Sequence, residues 1–323
     1  MTEPVRIAVI GLGAMGRTHL EVLRSHGPAV SVVAVADVDG SAVERAVQGS
    51  EAHGWSDGLD LLGHADLDGV VVASPDATHA DLVDACLDRG LPVLCEKPLT
   101  TSVADSAALV EREAALGRRL VQVGFMRRYD PAFADVAHAV LDGRVGAPAL
   151  VRTVHRNPVS AYAFQPSTLT ENSASHDVDL LRWVTGDDVA EVSCTTAEGA
   201  DERFAAVLLR ARTRGGVLAS TELVYGPASG YDVGLEVVGR GGVVGTPTDG
   251  PAAHWTERFD EAYRRQARAW VRSVASGTPD PDGAGAVDGL AVSVVLEAAE
   301  RSRREGGVAV RADAATDAGS RSR

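Results

Sequence analysis

The feature that most constrains the fold is a glycine-rich loop set between an apolar strand and a helix. Arg6-Ile7-Ala8-Val9-Ile10 reads as a buried strand, and Gly11-Leu12-Gly13-Ala14-Met15-Gly16 follows at once. The glycines fall in the GxGxxG pattern, one for the tight turn, one for close approach of a pyrophosphate and one for helix–strand packing. His19-Leu20-Glu21-Val22-Leu23 continues as a helix whose first amides would face the phosphates. The pattern alone is weak, since chance glycines can fill a strand–turn–helix. A second strand, Val30–Ala36, strengthens it by ending in Asp37, 21 residues beyond Gly16, where an acid can accept hydrogen bonds from an adenosine ribose. Asp37-Val38-Asp39 sets two acids and no arginine there, which repels a ribose 2′-phosphate and favours NAD over NADP.

Strand and helix go on alternating. Gly69–Ala73 is an apolar strand, Asp81–Arg89 a helix closed by Gly90, and Pro92–Cys95 another strand. Thr101 or Ser102 can cap a helix running to Leu116, with Gly117 as its stop, before the strand Leu120–Gly124. This rhythm predicts a doubly wound parallel sheet, a Rossmann fold, with ligands at the carboxyl ends of its strands. Ser74, Pro75 and His79 lie just past one such end, and Glu96-Lys97-Pro98 just past the next. His79 reads equally well as a loop or helix-cap residue. The candidate cofactor contacts are thus Gly11, Gly13, Ala14, Met15, Gly16, Asp37, Val38, Ser74, Pro75, His79, Glu96 and Lys97.

Lys97 is the only lysine among 31 Lys+Arg. A chain that uses arginine everywhere else keeps one compact, titratable amine at the ligand edge, although a GC-rich coding bias would also favour arginine. The Lys97–Pro98 bond is a candidate cis peptide that would aim the amine. Cys95 reads as a buried strand residue. The three cysteines, Cys86, Cys95 and Cys194, have no metal-type spacing, and no metal is expected. They fit reduced thiols in the cytoplasm, as does a start that runs straight into a strand with no signal peptide. A net charge of -14 argues against nucleic acid or anionic lipid as a partner, and no uncharged run is long enough to span a bilayer.

At 323 residues there is room for two domains. The expected division is a dinucleotide-binding domain over 1–124, an α+β domain over 125–312 with a large, open-faced, mostly antiparallel sheet, and a disordered tail over 313–323. Past Gly124 a helix is expected from Pro131 to Leu141. Strands are expected over Leu150–Arg156, Val189–Thr196, Phe204–Arg212, Gly216–Val224, Tyr231–Gly239 and Val243–Gly245. One face of that sheet needs a cover, which another subunit could supply. Two helices, Thr256–Ser276 and Ala286–Arg304, close the domain, the first packing Phe259, Tyr263 and Trp270 inward.

In Glu171-Asn172-Ser173-Ala174-Ser175-His176-Asp177-Val178-Asp179, helical periodicity puts Asn172 and His176 on one face. A histidine opposite a nicotinamide site is a natural acid/base because its pKa lies near working pH, although an isolated histidine is more often a bonded core or surface residue. Asp177 and Asp179 read as solvated or interdomain residues.

These segments, with Gly124-Phe125-Met126-Arg127-Arg128-Tyr129-Asp130 and His155-Arg156-Asn157-Pro158, resemble the Gfo/Idh/MocA oxidoreductases, and within them the inositol dehydrogenases. The likeness runs over residues 5–240 and weakens through the closing helices. It implies NAD-dependent oxidation of a ring secondary alcohol of a cyclitol to the ketone, and a homotetramer assembled through the second-domain sheet. The resemblance gives Lys97 contact with the reacting oxygen and His176 its proton. It sets Arg127, His155, Asn157 and Tyr231 in the substrate pocket. The family's usual aspartate four residues before the histidine is Asn172 here, which lowers the expected histidine pKa and points to a tuned enzyme or another stereoisomer. A sugar dehydrogenase, or a ketosugar or aminocyclitol-pathway oxidoreductase, is the rival within enzymes. A non-catalytic NAD-sensing binding protein is the rival outside them.

Overall fold

The computed structural model describes residues 3–158, 173–197, 204–226, 230–247, 252 and 254–313. The expected tail falls almost wholly outside them, as does Asn172. The chain divides into two compact units, one of Met1–Tyr129 with Asp260–Leu290, the other of Asp130–Phe259 with the described residues from Ala291 on.

In the first unit the elements run β1 (Val5–Ile10), α1 (Ala14–Arg24), β2 (Val30–Ala36), α2 (Gly40–Val47), β3 (His53–Trp55), α3 (Gly58–His64), β4 (Gly69–Val72), α4 (His79–Asp88), β5 (Val93–Cys95), α5 (Val103–Ala115) and β6 (Val121–Val123). The six strands form one parallel sheet in the order β3-β2-β1-β4-β5-β6. The order reverses between β1 and β4, which opens a crevice at their carboxyl ends. Side chains explain the helix starts: Asp39, Asp57 and Ser102 each accept a backbone amide as N-caps of α2, α3 and α5. Ile7, Val9, Val35, Val71 and Leu94 form the core together with Trp270. A methyl on Gly69 would lie 3.1 Å from the Trp270 ring, so the residue under the indole must be small.

The second unit holds α6 (Pro131–Leu141), β7 (Pro148–Asn157), α7 (Ser175–Thr185), β8 (Val189–Thr196), β9 (Ala205–Thr213), β10 (Leu218–Tyr225), β11 (Asp232–Gly239), β12 (Gly242–Gly245) and β13 (Val310–Arg311). Its seven strands run in the order β12-β11-β7-β10-β9-β8-β13. In this sheet only the β7–β10 pair is parallel among the described strands, the rest being antiparallel. Alternation is visible along β10 and β11, with Ala219, Leu223, Val233 and Leu235 buried between half-exposed neighbours. Helices α6 and α7 pack on this sheet. Its outer side chains form cross-strand ion pairs, Arg152 to Glu236 at 2.7 Å and Arg156 to Glu222 and Asp232 at 2.7 and 2.8 Å.

Two long helices follow, α8 (Trp255–Ser276) and α9 (Ala286–Arg304). Phe259, Tyr263 and Trp270 are buried as expected. Strand ends fall one or two residues from those expected, which is ordinary fraying of boundaries. Sequence reading passed over β3 and β13, a three-residue and a two-residue strand too short to show alternation.

Candidate active site

Unit 1 builds a dinucleotide cradle from its glycines. Gly11 sits at φ +88°, and a Cβ there would lie 2.4 Å from the Ser74 nitrogen. A Cβ on Gly16 would lie 1.8 Å from the Gly11 carbonyl oxygen, whereas one on Gly13 would meet nothing within 4 Å. The outer two glycines are therefore demanded by the protein's own backbone. The middle one faces open space, as a residue approached by phosphates should. The first amides of α1, at Ala14, Met15 and Gly16, precede any intrahelical acceptor and suit an anion. Asp37 is tied to the loop: the Leu12 amide donates to its Oδ2 at 2.6 Å and the Asp39 amide to its Oδ1 at 2.8 Å. Each oxygen keeps a further lone pair for a ribose hydroxyl. Val38 beside it is 93% exposed. Sequence reading missed Arg17, which donates to the Leu12 carbonyl at 3.0 Å and sets a cation against the loop. These residues fit NAD.

The next strand ends place Ser74, Pro75, His79, Glu96 and Lys97. Ser74 shares a 2.6 Å hydrogen bond with Thr78, and Pro75 precedes a short helical turn. His79 is fully buried, with Nδ1 2.7 Å from the Pro98 carbonyl and Nε2 3.0 Å from that of Ser74. It braces the two loops against each other. The Glu96 amide donates to Val72 at 2.8 Å and the Gly124 amide to Cys95 at 2.7 Å, so neighbouring strands fix the Cys95–Glu96 peptide just before Lys97. The Lys97–Pro98 peptide is cis. Lys97 is half-buried. Protein surrounds it densely enough that lost solvation pulls its pKa below the ordinary lysine range. The Glu96 and Asp76 charges oppose that shift and Arg127 adds to it. Arg127 is fully buried in the turn after β6. Burial drives the Cys95 thiol far above its ordinary range and the Cys86 thiol up to about 12, so neither supplies a thiolate near neutral pH.

A second polar cluster lies inside unit 2. His155 and Asn157 come from the end of β7, and Tyr231 immediately precedes β11. His155 Nδ1 is 3.1 Å from Asp177 Oδ2, while Asn157 Nδ2 and the Tyr231 hydroxyl lie 3.3 and 3.4 Å from its Nε2. The consistent tautomer carries its proton on Nδ1, donates it to the carboxylate, and accepts at Nε2. Tyr231 also meets the ring edge to face, with centroids 5.8 Å apart. His176, next to Asp177 in the first turn of α7, is 8% exposed. One expectation needs correcting: Asp177, read as a solvated or interdomain residue, is 1% exposed and bonded to His155 of the same unit, and Asp179, read likewise, is not solvated either at 1% exposed.

Comparison with known proteins agrees with this geometry. The family model for the GFO/IDH/MocA oxidoreductases with an NAD-binding Rossmann fold matches residues 5–125, and that for the GFO/IDH/MocA C-terminal domain matches 133–244. An inositol 2-dehydrogenase of Saccharopolyspora erythraea is 39% identical, covering 94% of this chain and 95% of its own. Another from Rubrobacter xylanophilus is also 39% identical, covering 94% and 92%. Among solved structures, a myo-inositol dehydrogenase of Lactobacillus casei in complex with NAD(H) and myo-inositol superposes with a TM-score of 0.89. Its identity is 29%, and the match covers 95% of this chain and 96% of that one.

Proposed function

The chain belongs to the GFO/IDH/MocA oxidoreductase family, and we propose that it is an NAD-dependent cyclitol dehydrogenase that oxidises one ring secondary alcohol of an inositol to the ketone. The observation that carries this reading is the solitary lysine at the carboxyl end of β5, set among Glu96, Asp76 and Arg127.

NAD, when bound, supplies the acceptor for the hydride that leaves the substrate carbon. The Gly11–Gly16 loop and Asp37 bind it. Lys97 donates a hydrogen bond to the reacting oxygen and steadies the negative charge that develops there. His176 takes the hydroxyl proton, so that the C–H and O–H bonds break as the carbonyl forms. Arg127, His155, Asn157 and Tyr231 bind the remaining hydroxyls, a task suited to the alternating donors and acceptors around His155. Asn172 supports a substrate or a pH range other than that of an enzyme with an acid at that position.

The test is a panel of inositols and pyranoses with NAD and with NADP, read as reduced cofactor. An inositol with NAD should give the fastest turnover, and Lys97→Ala should abolish it while NAD still binds. Preference for a pyranose would move the assignment to a sugar dehydrogenase. Tight NAD binding with no turnover across the panel would leave a binding protein. We propose further that the outer face of the unit 2 sheet joins subunits into a tetramer, since Leu208 and Leu218 lie exposed there among the ion pairs. Light scattering on the purified chain decides this.

A further inference from the structure

The α1 helix carries a buried histidine that the proposed chemistry does not use. His19 is 1% exposed and its Nε2 lies 2.7 Å from Glu96 Oε1, with the Glu96 side chain only 9% exposed. The other carboxylate oxygen sits against Gly124, where a Cβ would come within 2.9 Å of Glu96 Oε2. The edge of the Tyr263 ring closes the histidine's flank, with centroids 5.9 Å apart at 90°. His19 Nδ1 is buried and has no hydrogen-bond partner among the described residues.

That last fact fixes the character of the pair. A proton on Nδ1 would be a buried, unsatisfied donor, which costs about 1–3 kcal/mol. The form that avoids it has one proton, on Nε2, donated to Glu96. The imidazole is then neutral and anchors the carboxylate without cancelling its charge. An ionised carboxylate in a buried site needs such a donor, and it stands one residue before the lysine.

We propose that His19 and Glu96 form a positioning pair, in which the histidine of α1 holds the carboxylate that keeps Lys97 charged and able to donate a hydrogen bond. The pair ties the helix that begins at the phosphate loop to the amine at the next ligand edge. It rests on the reading of Lys97 as the group that meets the reacting oxygen. Burial works against the ammonium, and the charged groups that act on it are Glu96 and Asp76 in its favour and Arg127 against it. Buried titratable groups on the neighbouring elements include His79 of α4, bonded to Ser74 and Pro98, and the thiols Cys95 and Cys86. Tyr263 of α8 faces the histidine.

Because the chain has a single lysine, its titration can be read directly. Protein labelled with ε-13C-lysine gives one side-chain resonance, followed against pH without substrate or cofactor in the wild type, E96Q, H19Q and H19L. Glutamine at position 96 keeps the shape and still accepts from His19, so E96Q removes only the charge. Its midpoint should fall by at least about one pH unit, the size expected on losing a close opposite charge. Glutamine at 19 offers a donor near the place of Nε2, so H19Q should titrate as the wild type, while H19L should fall toward E96Q. Should H19L fail to fold by circular dichroism, H19N, whose shorter amide falls short of Glu96, replaces it. An E96Q midpoint equal to that of the wild type overturns the proposal, and so does equality of H19L or H19N with H19Q. Inactivity toward every cyclitol would leave this result standing, and an unmoved midpoint would leave the dehydrogenase reading standing.

Discussion

His155 Nδ1 donates to Asp177 Oδ2 over 3.1 Å, and both side chains are almost wholly withdrawn from solvent. The carboxylate fixes which imidazole nitrogen keeps a lone pair, and that lone pair faces Asn157 and Tyr231. A buried acid next to His176 in sequence therefore acts on the neighbouring β7 strand, where it sets which nitrogen of His155 can accept a hydrogen bond.

Replacing Asp177 by leucine should leave the His155 proton buried without an acceptor and lower stability by about 1–3 kcal/mol in denaturant unfolding. Asp177→Asn keeps an acceptor oxygen and should cost less. In the asparagine variant KM for the cyclitol should rise more than kcat falls, because the wall that binds hydroxyls is disturbed and the reacting groups are not. Equal stability of the leucine variant and the wild type would remove the pair from the structural account.

Lys97 should reduce stability, with a definite pH dependence. Its folded pKa lies below the ordinary value of 10.5 because burial disfavours the ammonium. Between the two values the unfolded chain binds more protons than the folded one, so stability rises with pH through that window. The penalty is complete below the folded value and absent above 10.5. Lys97→Met should accordingly unfold at a higher temperature than the wild type near pH 7, and the difference should shrink as pH approaches 10.5. A methionine variant less stable than the wild type at neutral pH would contradict this.

The parts of this molecule that could be read from sequence are those that local pattern decides. The β1 strand, the glycine loop and Asp37 lie within 33 residues of one another, Val5 to Asp37, although of the three glycines only Gly16 is constrained by the loop itself, through the Gly11 carbonyl. The position of Lys97 followed from strand–helix alternation, because topology fixes the ligand edge of a parallel sheet. Pairings made across the chain were hidden. His19 and Glu96 are 77 residues apart, and only the packing of α1 across β1 and β4 brings the helix within reach of the residue that follows β5. Asp177 was read as solvated or interdomain because spacing does not reveal that a helix's first turn is buried against a strand of its own unit. The segment 260–290, expected in the second domain, packs with the first unit through Trp270, which a linear reading of domains does not show.

Asn172 lies outside the described residues, so the expectation about it rests on its four-residue spacing from His176. A carboxylate there would favour the imidazolium and raise the histidine pKa. Alcohol oxidation needs the imidazole free to take a proton. Asn172→Asp should therefore move the acid limb of the kcat/KM profile to higher pH, by about one pH unit. An unmoved limb would end the account in which the amide tunes the histidine.

Two alanine substitutions in one loop should separate folding from cofactor binding. Gly13 has φ −63° and ψ −162°, a backbone that alanine accepts, and its Cβ would enter open space. Gly13→Ala should leave the thermal unfolding midpoint within a degree or two while weakening NAD binding at least about tenfold, since the methyl occupies the approach of the pyrophosphate. Gly16→Ala drives its methyl to 1.8 Å from the Gly11 carbonyl oxygen, a backbone atom that moves only with the whole loop. That variant should lose about 1–3 kcal/mol or fail to fold, as overpacking does. Calorimetric titration with NAD, paired with thermal unfolding of the unliganded protein, reads both effects. If Gly13→Ala binds NAD as the wild type does, the open side of the loop is not where the phosphates lie, and the assignment of this cradle falls even though the fold around it is right.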